Sequence, residues 1–131
     1  AVADYRPASV AEQKIKKSDD DMHIQLVKNP DIVATVAALP RRPLTVGFAA
    51  ETENLELYAT KKLHKKNLDL VIANDVSDTT IGFNSDDNRV LLVQPDTSKA
   101  LPTMNKGLLA NKLIEYIAAL LRSSTLQTSQ P

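Results

Sequence analysis

Two unbroken apolar runs, LTVGFA (Leu44–Ala49) and LDLVIAN (Leu68–Asn74), bracket a single amphipathic segment, and this arrangement restricts the fold more than any other feature. Neither run alternates as a half-exposed strand would, so each reads as a strand covered on both faces. Between them, ENLELYATKKLHKK sets Leu55, Tyr58, Ala59 and Leu63 on one side and gathers lysines toward its end, where they complement the helix dipole. Thr52 is the expected cap. Strand, helix and strand across 44–74 predict a right-handed βαβ crossover in a parallel sheet. Ligands on such sheets sit at the carboxyl ends of the strands. Here those ends are Phe48–Glu51 and Ala73–Asp75, with Ala3–Asp4 as a third if the chain opens on the tail of a strand.

The opening, AVADYRPA, has that character: small apolar residues, then a polar turn at Pro7. A domain seldom starts there, so an upstream part of the same fold is expected outside this sequence. Lys14–Lys17 and Met22–Lys28 read as a hairpin about the acidic turn Asp19–Asp21, because Met22, Ile24 and Leu26 alternate with polar residues. In NPDIVATVAALP, Asn29 is the expected cap, Pro30 suits the first helical position, and Asp31 favours the positive end of the dipole; Pro40 stops the helix. A second antiparallel pair, Arg89–Gln94 and Lys99–Met104, is expected around PDTS. LLANKLIEYIAALL (108–121) predicts a terminal amphipathic helix, and the polar residues 122–131 a disordered tail.

Composition narrows the functions. Sixteen Lys and Arg balance sixteen Asp and Glu, so the chain has no net field to attract nucleic acid. No apolar run approaches the roughly 20 residues of a membrane span. The absence of cysteine removes disulfides and thiolate chemistry and fits a cytoplasmic, reducing location. His23 and His64 stand apart, without metal-ligand spacing. The three glycines, Gly47, Gly82 and Gly107, are too scattered for a P-loop or a dinucleotide fingerprint. A phosphate site would instead use lysines and the open amides of the helix beginning at Pro30. For Lys61, Lys62, Lys65 and Lys66 the simpler reading is dipole compensation and solubility; for Lys14, Lys16 and Lys17 it is a solvated edge that resists aggregation. Asp4 and Asp75, at strand ends, are placed to hold a hydrated magnesium ion beside a nucleotide.

The blocks DYRP, KIKK, NPDI, VGFAAET, KKNLDLVIANDV and GFNSDDN, in this order, resemble bacterial phosphopantothenoylcysteine synthetase from Ala1 to about Leu121. The resemblance implies an α/β fold: the C-terminal part of a Rossmann-like, three-layer αβα domain with a parallel sheet, carrying an added antiparallel β region (about 14–28 and 89–104) that forms a homodimer. It also implies a ligase acting in coenzyme A biosynthesis. The carboxylate of 4'-phosphopantothenate attacks the α-phosphate of CTP, pyrophosphate leaves, and the amine of L-cysteine displaces CMP from the acyl cytidylate. Two steps are needed because a carboxylate is inert to amines until it carries a leaving group.

By the same resemblance Lys14 is the catalytic cation, with Lys16 and Lys17 supporting a flap and the subunit interface. The nucleotide-binding set is Asp4, Lys14, Pro30, Asp31, Ile32, Val33, Phe48, Lys62 and Lys66. Asp4 serves the magnesium ion, and FMN belongs to a decarboxylase half outside this chain. The family's glycine-rich segment, and the Arg and Asn that handle phosphopantothenate, lie upstream of Ala1. The alternative is therefore a non-catalytic nucleotide-binding and dimerisation fragment, and an upstream fragment is an expected partner.

Overall fold

The computed structural model describes residues 2–78 and 85–128. Its centre is the predicted crossover: β3 (Val46–Glu51), α2 (Leu55–Lys66) and β4 (Leu70–Asp75), with β3 and β4 parallel and Val46 opposite Leu70. The side chains of β4 serve both faces. Val71 and Ala73 join Ala49, Ala59 and Leu63 in a core under α2, whereas Leu70 and Ile72 pack with Leu92, Leu109 and Leu113 beneath α3 (Lys106–Thr128). That double burial is why the run is apolar at every step. Helix, sheet and helix thus form three layers. Gly47 makes the close approach possible, since a Cβ there would lie 2.7 Å from Cδ1 of the buried Leu68.

The sheet is mixed, in the order β3-β4-β6-β7, where β6 is Val90–Gln94 and β7 is Thr97–Ala100. The expected pair forms as the hairpin of β6 and β7, but it does not stand apart from the sheet. Strand β6 joins β4 antiparallel, because alternate Val90 and Leu92 can seal the α3 core while Val93 seals the other. Beyond β7, β8 (Met104–Asn105) pairs with β5 (Asp87–Asn88).

The N-terminal expectation needs correction. No hairpin joins 14–17 to 22–28; instead β2 (Leu26–Lys28) pairs antiparallel with β1 (Tyr5–Pro7) in a two-stranded sheet of its own. Residues 8–25 carry neither strand nor helix. The alternation of Met22, Ile24 and Leu26 had no face to bury, and all three are exposed.

Caps shifted as well. Helix α1 (Ile32–Ala37) begins after Asp31, whose Oδ1 accepts the Ala34 amide at 3.0 Å, so Asp31 and not Asn29 is the cap. Asn29 is engaged elsewhere, accepting from Arg6 Nη1 and donating to the Ala3 carbonyl. Helix α2 starts at Asn54 in place of Thr52 and ends at Asn67, and both Asn residues are left-handed, with φ of 47° and 53°. Helix α3 continues past Leu121 to Thr128, where residues 122–131 were expected to be disordered. Gly82 and the start of GFNSDDN lie outside the described residues. Among the described residues no helix is long and apolar enough to cross a membrane.

Candidate functional site

Helix α2 sets Lys62 and Lys66 one turn apart on the same side. Lys66 Nζ meets Asp31 Oδ2 at 2.8 Å, and Lys62 Nζ lies 3.9 Å from Glu51 Oε1 at the carboxyl end of β3. Both lysines line an open cleft with Glu51, Tyr58, Lys61 and Lys65, and Lys61 rests over the Tyr58 ring, 5.7 Å from its centroid. Three segments distant in sequence, 31, 51 and 62–66, therefore converge. The Lys66 ammonium, then the Ala34 amide, hold the Asp31 carboxyl below its ordinary value. Chemically the cleft presents ammonium groups against carboxylates that an incoming polyanion would have to replace.

The predicted set divides. Asp31, Lys62 and Lys66 come together, and Asp4 lies close by in the chain's pairing, because its carbonyl accepts the Asn29 amide at 2.8 Å. Pro30, Ile32 and Val33 flank the Asp31 cap, with Ile32 56% exposed. The open helix amides expected for phosphate are partly taken, since Asp31 occupies the Ala34 N–H itself. Phe48 is 64% exposed, and strand alternation puts it on the opposite face of the sheet from Ala49 and hence from the lysines. Lys14 is exposed within the irregular stretch 8–25. Among the described residues no three acidic or histidine side chains gather as a metal site.

Residue typing alone did not reveal a second cluster at the carboxyl end of β4. Asp75 accepts from the Ser77 hydroxyl at 2.5 Å, the Ser77 amide at 3.1 Å and Arg89 Nη2 at 2.8 Å. Beside it, Asn88 Nδ2 donates to Asn74 Oδ1 at 3.1 Å. The signal was present in sequence as ANDVS followed by DNRV, but the pairing needs the β4–β6 neighbourhood to be known. The Ser77 hydroxyl, with Arg89, holds the Asp75 carboxyl below the ordinary 3.8. A depressed folded-state value means stability that is present above the unfolded value and lost as pH falls through the folded one. Asp75→Asn should therefore be less stable than the parent at pH 7, with the gap closing as pH drops below the ordinary carboxyl value of 3.8. Urea unfolding at a series of pH values checks this; a gap that widened in acid would refute it.

Comparison with known proteins gives a consistent picture. The family described as "DNA/pantothenate metabolism flavoprotein C-terminal domain" matches residues 1–121. The coenzyme A biosynthesis bifunctional protein CoaBC of Vibrio vulnificus (strain YJ016) is 56% identical over 124 residues, which is 92% of this chain and 31% of the relative. Its counterpart from Escherichia coli (strain K12) is 56% identical over 121 residues, 89% of this chain and 30% of the relative. The chain thus spans about a third of the length of the curated relatives it matches. The crystal structure of the C-terminal domain of a CoaBC protein superposes with a TM-score of 0.70 at 33% identity, over 93% of this chain and 52% of that one.

Proposed function

The chain belongs to the DNA/pantothenate metabolism flavoprotein C-terminal domain family, and from that membership we propose that it supplies part of a ligase site that joins 4'-phosphopantothenate to L-cysteine in coenzyme A biosynthesis. The observation that carries this reading is that Lys62 and Lys66 line one cleft within the matched residues, with Asp31 paired to Lys66. Lys62 and Lys66 bind the triphosphate of CTP in exchange for their resting carboxylate partners. Lys14, on the irregular 8–25 stretch, reaches the α-phosphate, where charge accumulates as the substrate carboxylate attacks and pyrophosphate departs. Cysteine's amine then attacks the acyl carbon and CMP leaves. Asp4 offers one carboxylate, which would hold a hydrated Mg²⁺ ion. When bound, that ion supplies charge neutralisation on the phosphates.

In the complete protein, pyrophosphate should form from CTP only when phosphopantothenate is present, and CMP only once cysteine is added. CMP release without cysteine, or no nucleotide turnover at all, would overturn the reading. CTP is expected to bind at least about tenfold more tightly than ATP, a difference of roughly 1.4 kcal/mol. Calorimetry with magnesium present measures this, and equal affinities would refute it.

The assembly is a homodimer. Strands β6 and β7 lend no support to it, because both find their place in the main sheet. What supports it is the apolar set Ile15, Met22, Ile24 and Leu26, each more than half exposed within the chain. Sedimentation should return a dimer at micromolar concentration, and a monomer would exclude it.

A further inference from the structure

We infer that Asn88 is a positioning residue for nucleoside recognition: it fixes the amide of Asn74 as a hydrogen-bond donor toward an uncharged acceptor oxygen of the nucleotide. The inference rests on the nucleotide reading above and adds a residue that touches no ligand itself.

One backbone group sets the polarity of the whole chain of contacts. The Arg89 N–H can only donate, and it donates to Asn88 Oδ1 at 2.8 Å. The other end of the Asn88 amide must then be its NH₂ group, which lies 3.1 Å from the Asn74 side chain. The atom of Asn74 it meets must accept, so that atom is Oδ1. The remaining end of Asn74 is therefore its NH₂ group, and among the described residues nothing accepts from it. An amide normally able to rotate end for end is set in one orientation through two hydrogen bonds. Arg89 is in turn anchored through its guanidinium to Asp75, adjacent to Asn74.

The location gives this polarity a use. In β4 the side chains of Leu70 and Ile72 face the α3 core, and Asn74 follows them by alternation. Across the parallel register Asn74 stands opposite Ala50, and Ile72 opposite Phe48. Asn74, Ala50 and Phe48 thus share one face at the carboxyl ends of β3 and β4, where ligands of such sheets bind. Ala50 is exposed and small, and Phe48 offers a bare ring. An aromatic face beside a lone amide donor suits the sugar and base of a nucleotide better than its phosphates, whose lysines lie on the other face. The acceptor is either a base carbonyl or the ring oxygen of the sugar, neither of which can donate in return.

Asn88→Asp makes the test, because it preserves shape. The introduced carboxylate still accepts from the Arg89 amide but cannot donate, so Asn74 must turn its NH₂ inward and present its oxygen to the ligand. In the complete protein, calorimetry should show CTP affinity reduced at least about tenfold, since a bond is lost and two acceptors are opposed. Inorganic tripolyphosphate, competing for the lysines, should bind both proteins equally. Asn88→Ala leaves Asn74 free to turn either way and should cost CTP only about threefold, less than the isosteric change. A residue needed only for packing would give the reverse order. If ATP affinity falls in parallel with CTP, the acceptor is on the sugar; if ATP is unaffected, it is a base carbonyl. Wild-type affinity for CTP in Asn88→Asp, a matching loss of tripolyphosphate, or a larger loss in Asn88→Ala would overturn the inference. Failure of the parent protein to bind CTP at all would instead sink the nucleotide reading and this inference with it.

Discussion

Replacing Lys14 with Gln in the complete protein should slow single-turnover formation of the acyl cytidylate about 100- to 1000-fold and leave the fold intact, the loss expected when one cation is withdrawn from charge developing in a desolvated site. The structure makes this a clean experiment. Lys14 lies exposed in the irregular 8–25 stretch, outside both hydrophobic cores. Gln retains much of the reach and removes only the charge. Lys17→Gln, three residues along the same stretch, is the control and should change the rate by less than about tenfold. Equal, wild-type rates in both variants would return Lys14 to the role of a solvated surface charge.

Asp69→Ala should destabilise the protein by about 2–3 kcal/mol, because one carboxylate organises three donors, the net contribution of a hydrogen bond to a charged group is on the order of 1.5–3 kcal/mol, and partial exposure of the Arg42 pair screens its share. Asp69 Oδ1 and Oδ2 take the two ends of the Arg42 guanidinium at 2.8 Å each, and Oδ2 also accepts the Thr45 amide at 2.7 Å. The exchange is mutual, since the Asp69 amide donates to the Thr45 carbonyl at 3.0 Å. Together these bonds fasten the entry of β3 to the entry of β4, at the end of the sheet away from the proposed chemistry. A fall in melting temperature of about 8–12 °C is expected. Arg42→Ala should cost less, because the Thr45 bond survives. A loss below about 0.5 kcal/mol for Asp69→Ala would show that the staple is replaced by solvent without cost.

The elements that could be read from sequence were those whose residues report their own surroundings. Leu70–Ala73 is apolar at every step because both faces are covered. The crossover and the hairpin about Pro95–Asp96 followed from such local signals. Placement of the hairpin did not, because joining β4 antiparallel is a tertiary choice: Val90 and Leu92 alternate identically whether a sheet or a partner receives them. The alternation of Met22–Leu26 misled for the converse reason, since it has no cover within the chain. At the site, lysine spacing on α2 was legible, but Glu51 as the partner of Lys62, and the Asn88–Asn74 contact, depend on which strand ends become neighbours. Caps fell in the same category. Asn29, Thr52 and Asp31 are all competent caps, and chain geometry selects among them.

The two left-handed asparagines that bound α2 face unequal futures under sequence drift. At Asn54 only the backbone conformation is in use, for its side chain makes no capping bond. Gly, which adopts that conformation without steric cost, is an acceptable successor there. Asn67 has the same conformation but more to lose. Its side chain donates to the Ala37 carbonyl at the end of α1, and its own carbonyl accepts from Arg42. Gly would keep the turn and cut the link to α1. In descendants of this chain, position 54 is therefore free to vary among residues that tolerate the left-handed region, whereas position 67 is bound to asparagine for as long as α1 leans on α2.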